Sequence, residues 1–97
     1  MAKLICLSSV DNWKTSQMSR YPEIANFIGF LETIILESPG AGKYELILSK
    51  TGKQLPCRKK EVQIKLFSSR YAIGYNILYA LYLCSNDIIE IIQMGYS

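Results

Sequence analysis

Histidine is absent from this 97-residue chain, which removes the imidazole that most often serves as a general base near neutral pH. Serine or cysteine nucleophiles of the usual triad kind are left without a proton acceptor. Any catalysis has to rest on carboxylates, lysine, tyrosine or arginine. Cysteine is scarce and scattered: Cys6, Cys57 and Cys84 stand far apart, so no C-x-x-C spacing exists for a zinc or redox centre. No metal or cofactor is expected. Long hydrophobic runs are missing too, since no stretch approaches the roughly 20 apolar residues that a membrane-spanning helix needs. MAKLICLSSV is followed by Asp11, Asn12, Trp13 and Lys14, where a cleaved leader would be small and neutral. An odd number of thiols without an export signal fits reduced cysteines in a cytoplasm. Cys6 and Cys84 lie in apolar runs and read as small core residues. Cys57, beside Arg58 and Lys59, is the one whose thiol those cations would activate.

What is present suits one small domain over residues 1–97 with a single core. The net charge of +3 is unevenly spread: residues 41–70 carry +6 and the remainder −3. CRKKEVQIKLFSSR, residues 57–70, concentrates that charge, with Arg58, Lys59 and Lys60 ahead of an alternating apolar run and Lys65 and Arg70 continuing it. Clustering of this kind is what phosphate binding uses. The competing reading is a basic loop that guards a strand edge.

The order of elements follows from periodicity. LICL, residues 4–7, is a short apolar first strand. Residues 11–20 read equally as one or two helical turns or as a loop, with Asp11 as a cap and Trp13 as the packing anchor. Tyr21-Pro22-Glu23 opens a helix, in which Ile24, Phe27, Ile28, Leu31, Ile34 and Ile35 form one apolar stripe. Glu32 and Glu37 fall on its solvated side. Ser38-Pro39-Gly40 stops it. KYELILSK, residues 43–50, is strand-like, with a turn at Thr51-Gly52-Lys53. In the strand EVQIKLF, Val62, Ile64 and Leu66 face one way, and Glu61, Gln63 and Lys65 the other. RYAIGYNILYALYL, residues 70–83, reads as a long strand whose odd-numbered row, Tyr71 to Leu83, is unbroken, with Tyr75 and Tyr79 as core residues. Ser85-Asn86-Asp87 turns the chain into DIIEIIQM. The expected class is α+β: a small antiparallel sheet of four to five strands with one or two N-terminal helices packed on one face. Gly40-Ala41-Gly42-Lys43 follows a helix and leads into a strand, the reverse of a phosphate-binding loop.

This order, the length, the basic strand, RYAIGYNILYALYL, the short turn and the closing DIIEIIQM together resemble the RelE/ParE superfamily, the small toxins of bacterial toxin–antitoxin modules. The resemblance implies a curved sheet with a helical hairpin on one side and a cognate antitoxin protein as partner. It also implies one of two activities, ribonuclease-type cleavage of mRNA at the ribosome or poisoning of DNA gyrase. Cleavage by a 2′-hydroxyl needs a base, cations for the phosphoryl charge and an acid for the leaving oxygen. By position in the motif, Arg70 matches a phosphate-binding arginine and Tyr96 the tyrosine after the last strand, while Lys65 supplies further charge. Arg58, Lys59, Lys60 and Tyr71 are the nucleic-acid-binding candidates. This chain departs from the pattern in having Gln93, Met94 and Gly95 where a basic residue is common, and no histidine in the tail. Two other readings stand beside it: a non-catalytic binding module that uses the same basic face for nucleic acid or protein, and a homo-oligomer, such as a homodimer, joined through aliphatic strand rows.

Overall fold

Residues 3–6 enter the structure, a computed structural model describing residues 2–48, 54–65 and 76–97, as strand β1 (Lys3–Cys6). Helices α1 (Ser8–Arg20) and α2 (Ile24–Glu37) follow, then a single 3₁₀ turn at Pro39–Ala41. Four strands complete the chain: β2 (Lys43–Leu48), β3 (Gln54–Gln63), β4 (Ile77–Ser85) and β5 (Ile88–Tyr96). The architecture is α+β, with the strands in the spatial order β1-β5-β4-β3-β2. Strands β2 to β5 pair antiparallel, whereas β1 lies parallel to β5. A parallel pair needs a long connection. Here nearly the whole chain separates the two partners.

α2 forms where the apolar stripe foretells it. Ile24, Ile28, Leu31 and Ile35 are buried against the sheet, and each such side chain contributes on the order of 2 kcal/mol of apolar burial. α1 resolves the ambiguity of residues 11–20 in favour of a helix, and one that begins earlier, at Ser8. Asp11 therefore sits in its first turn and does not cap it, and Arg20 in its last turn complements the opposite end of the helix dipole. Little of α1 is apolar. It is held by buried Val10 and by Trp13 and Met18, which pack on the edge of the core.

The helix-covered face of the sheet carries Val62 and Ile64 from the β3 side, Leu78, Ala80 and Tyr82 from β4, and Ile89, Ile91 and Met94 from β5. The Val62 and Ile64 alternation is as the sequence reads. In β4 the even-numbered residues are the core, so Tyr79 does not belong to it. Both rows of β4 are apolar; the helices cover the even-numbered one, and Leu81 of the other row is buried as well. Tyr75 lies outside the described residues, as do Leu66 and the turn at residues 51–53.

Asn86 and Asp87 close the β4–β5 hairpin, with Asn86 at a φ of 52°. Asparagine is among the few non-glycine residues that adopt that left-handed conformation readily. Near the middle of the hairpin, Leu81 pairs with Gln93 while Tyr82 pairs with Ile91. Ile92 is thus an extra residue, a bulge that locally increases the twist. None of the described helices is long and apolar enough to cross a membrane.

Candidate nucleic-acid interface

Arg58, Lys59 and Lys60 lie inside β3 and not in a loop, and a strand sends successive side chains to opposite faces. The basic triplet is therefore divided. Arg58 and Lys60 are opposite Tyr82 and Ala80, on the side the helices cover, and Arg58 is spent structurally: its Nη1 donates to the Gly42 carbonyl at 3.0 Å. Lys59 projects from the helix-free face. Directly across from it on β2 is Lys43, and partners of an antiparallel ladder share a face.

The rest of that face can be read from the register. Lys59 is paired with Leu81, and Leu81 with Gln93, while in the next row Glu61 is paired with Tyr79 and Tyr79 with Gly95. Lys59 Nζ lies 4.9 Å from the centre of the Tyr79 ring, within cation–π range, and 3.3 Å from Glu61 Oε1. Gln93 Nε2 donates to the Tyr79 hydroxyl at 3.0 Å. Tyr79 in turn lies over Gly95, where an added Cβ would come within 3.0 Å of the tyrosine oxygen. A half-buried aromatic, two lysines and an amide thus share the sheet face turned away from α1 and α2, on which Cys57 and Leu81 are themselves buried.

The remaining sequence candidates are distributed differently. Lys65 is exposed just beyond the end of β3. Arg70 and Tyr71 lie outside the described residues. Tyr96 belongs to the helix-covered side, where it pairs with Leu78 and packs on the core. Its ring is 5.2 Å from that of Trp13, tilted by 56°, and its hydroxyl donates to Gln17 Oε1 at 3.0 Å. Burial, with the neighbouring Tyr21 as a smaller cause, pushes the Tyr96 phenol up to about 12. The structure thus separates Tyr96 from the face that holds Lys43, Lys59 and Tyr79.

A second polar group was not legible in the sequence. Lys14 Nζ donates to Glu32 Oε1 at 3.1 Å, contacts Cys6 Sγ at 3.7 Å and lies 3.8 Å from Asp11. Glu32 is accordingly part of a bridge between α1 and α2, and not a solvated helix residue. Burial alone would lower the Lys14 pKa, but the hydrogen bond and charge of Glu32, with Cys6 and Asp11 behind them, hold it above its ordinary value. The Cys6 thiol is also raised, burial outweighing the lysine, so Lys14 does not activate it. Half-buried Cys6 packs against the core as the sequence reads, whereas Cys84 is exposed and Cys57 is buried, the opposite of what the sequence suggests for those two; none is in a disulfide. Cys84 sits one residue from the hairpin end of β4. Among the described residues no three cysteine or acidic side chains gather into a metal-binding group.

Compared with protein-family models, curated proteins and solved structures, the chain matches none.

Proposed function

We propose that the chain is a toxin of the RelE/ParE type, held by a cognate antitoxin, and that its helix-free sheet face engages the phosphate backbone of RNA. The observation that carries this reading is the pairing of Lys43 with Lys59 across β2 and β3. Like charges set directly opposite destabilise a sheet. Two lysines held there gain from an anion that bridges them, one that draws Lys59 away from Glu61 and the Tyr79 ring and so leaves that ring face, with the Gln93 amide beside it, to a base. Lys65 at the end of β3, with Arg70 of the resembling motif, supplies the cations that cleavage by a 2′-hydroxyl would require.

A second reading, a binding module that breaks no bond, is favoured by the engagement of Tyr96. Its hydroxyl is spent on Gln17 and its ring on Trp13, which takes it away from the role of proton donor to a leaving oxygen.

The test is tightly induced expression of the wild type, Lys43→Ala/Lys59→Ala and Arg70→Ala, following growth while pulse-labelling protein and DNA synthesis. The proposal expects early arrest of protein synthesis that both variants relieve while remaining soluble and folded. Arrest of DNA synthesis first would transfer the assignment to gyrase. Undisturbed growth, together with salt-sensitive RNA binding and no cleavage products, would establish the binding module instead.

A further inference from the structure

Exposed large hydrophobic residues are few among the described residues, and three of the four, Ile5, Leu7 and Ile88, fall at one corner of the sheet, with relative exposures of 38%, 41% and 46%. Ile5 lies in β1, the terminal strand of the sheet, with Leu7 just beyond its end and Ile88 beside Lys3 at the start of the neighbouring β5. Lys3 N–H donates to Asp87 O at 2.6 Å and Leu7 N–H to Ile91 O at 3.1 Å, so these residues turn their backbone groups inward to β5. By the two-residue period of a strand, Leu4 and Cys6 turn their N–H and C=O groups outward. An open edge flanked by apolar side chains is a template for another strand.

We infer that this edge pairs with β1 of a second copy, antiparallel, about a two-fold axis perpendicular to the sheet at Ile5. The register follows from the groups available. With Ile5 opposite Ile5 of the second copy, Leu4 falls opposite Cys6, and the outward N–H and C=O of both residues are used on both strands. Lys3 falls opposite Leu7, so no like charges face each other across the seam. Ile5 meets its own counterpart as a non-hydrogen-bonded pair, the kind whose side chains approach closest, with Leu7 and Ile88 on the same flank. The helices of both copies stay on one side, and a ten-stranded continuous sheet results. An edge with one lysine and the exposed Ile5 and Leu7, backed by exposed Ile88 on β5, is its own complement, which favours a second copy over an acidic or basic partner segment. The strand is only four residues long, so the contact area is modest and the dimer is a reversible one, with a dissociation constant on the order of micromolar.

Sedimentation of the whole chain over about 1 to 100 µM measures this directly. A monomer–dimer equilibrium is expected for the wild type, and Ile5→Lys, which places two ammonium groups on the axis, is expected to weaken it by about a hundredfold or more. In a Cys84→Ser background, I5C is expected to cross-link to itself under mild oxidation, whereas K3C, displaced from the axis, is not. The cross-linking arm also serves if Ile5→Lys loses its circular-dichroism signature. A wild type that stays monomeric over the whole range, a dimer undisturbed by a folded Ile5→Lys, or equal cross-linking of K3C and I5C would overturn the inference. None of these results depends on whether the protein arrests growth.

Discussion

The Tyr82 hydroxyl donates a 2.6 Å hydrogen bond to the carbonyl of Pro39, tying the middle of the sheet to the turn that ends α2. The ring is fully buried, and burial raises its phenol pKa, an effect that Arg58 partly offsets. The chain then passes close over this oxygen on its way into β2, and only a residue without a side chain fits there.

Gly42 is that residue. A Cβ at this position would overlap the Tyr82 hydroxyl and come within 3.0 Å of the Lys59 carbonyl. Gly42→Ala is expected to cost about 1–3 kcal/mol through overpacking, read as a lowered midpoint in urea. Tyr82→Phe removes the clashing oxygen, so the same substitution in that background is expected to cost less, and a double-mutant cycle measures the difference. Equal cost in both backgrounds would show that the Lys59 backbone, and not the hydroxyl, sets the limit.

The Tyr96 phenol gives a pH dependence whose sign is fixed. Its folded value is raised from the ordinary 10.0 to about 12, so the native state keeps the proton that the unfolded chain gives up first. The corresponding stability is complete below pH 10 and is lost as the pH climbs toward 12. Denaturant midpoints followed by Trp13 fluorescence are expected to fall across that interval in the wild type and less steeply in Tyr96→Phe. Parallel curves would exclude a distinct role for this phenol.

The Lys14–Glu32 bridge behaves in the same direction. The Lys14 value is raised in the folded chain, so its contribution is present at neutral pH and lost as the pH rises above the ordinary 10.5 through the folded value. Lys14→Met leaves the partly buried Glu32 carboxylate without this partner and is expected to cost about 1–2 kcal/mol. Adding Glu32→Leu should recover much of that loss, measured by thermal unfolding at pH 7.

Thiol chemistry should follow access and not neighbouring charge. Under native conditions an aromatic disulfide reagent is expected to modify the exposed Cys84 first and the half-buried, raised Cys6 more slowly. Cys57 is 3% exposed and should react only when the chain opens, despite its basic neighbours. Early modification of Cys57, located by mass spectrometry, would contradict the buried placement.

Much of the fold can be read from the amino acids alone because the relevant signals are local. The α2 stripe, the breaker at Ser38-Pro39-Gly40, the Val62 and Ile64 alternation and the hairpin turn at Asn86 each repeat or interrupt a backbone period within a few residues. α1 was less legible, since Val10, Trp13 and Met18 are nearly all the apolar surface it shows, and Trp13 and Gln17 meet Tyr96, some eighty residues away. Charge clustering at residues 58–60 was plain in the sequence, but its division between two faces was not. That division follows from placing the triplet inside β3, which begins at Gln54, a boundary that the apolar pattern alone drew seven residues too late.

The sequence by itself determined the class of the protein: an α+β chain with a strongly apolar second helix, an electropositive middle and no imidazole chemistry, all properties carried by composition and short-range period. Only the tertiary structure decided which row of β4 is core, that Arg58 bonds to Gly42 while Lys59 faces Lys43, that Tyr96 anchors α1, and that β1 closes the sheet beside β5. These are pairings between distant segments, and they are set by which face the helices cover and by strand register, neither of which a local pattern contains.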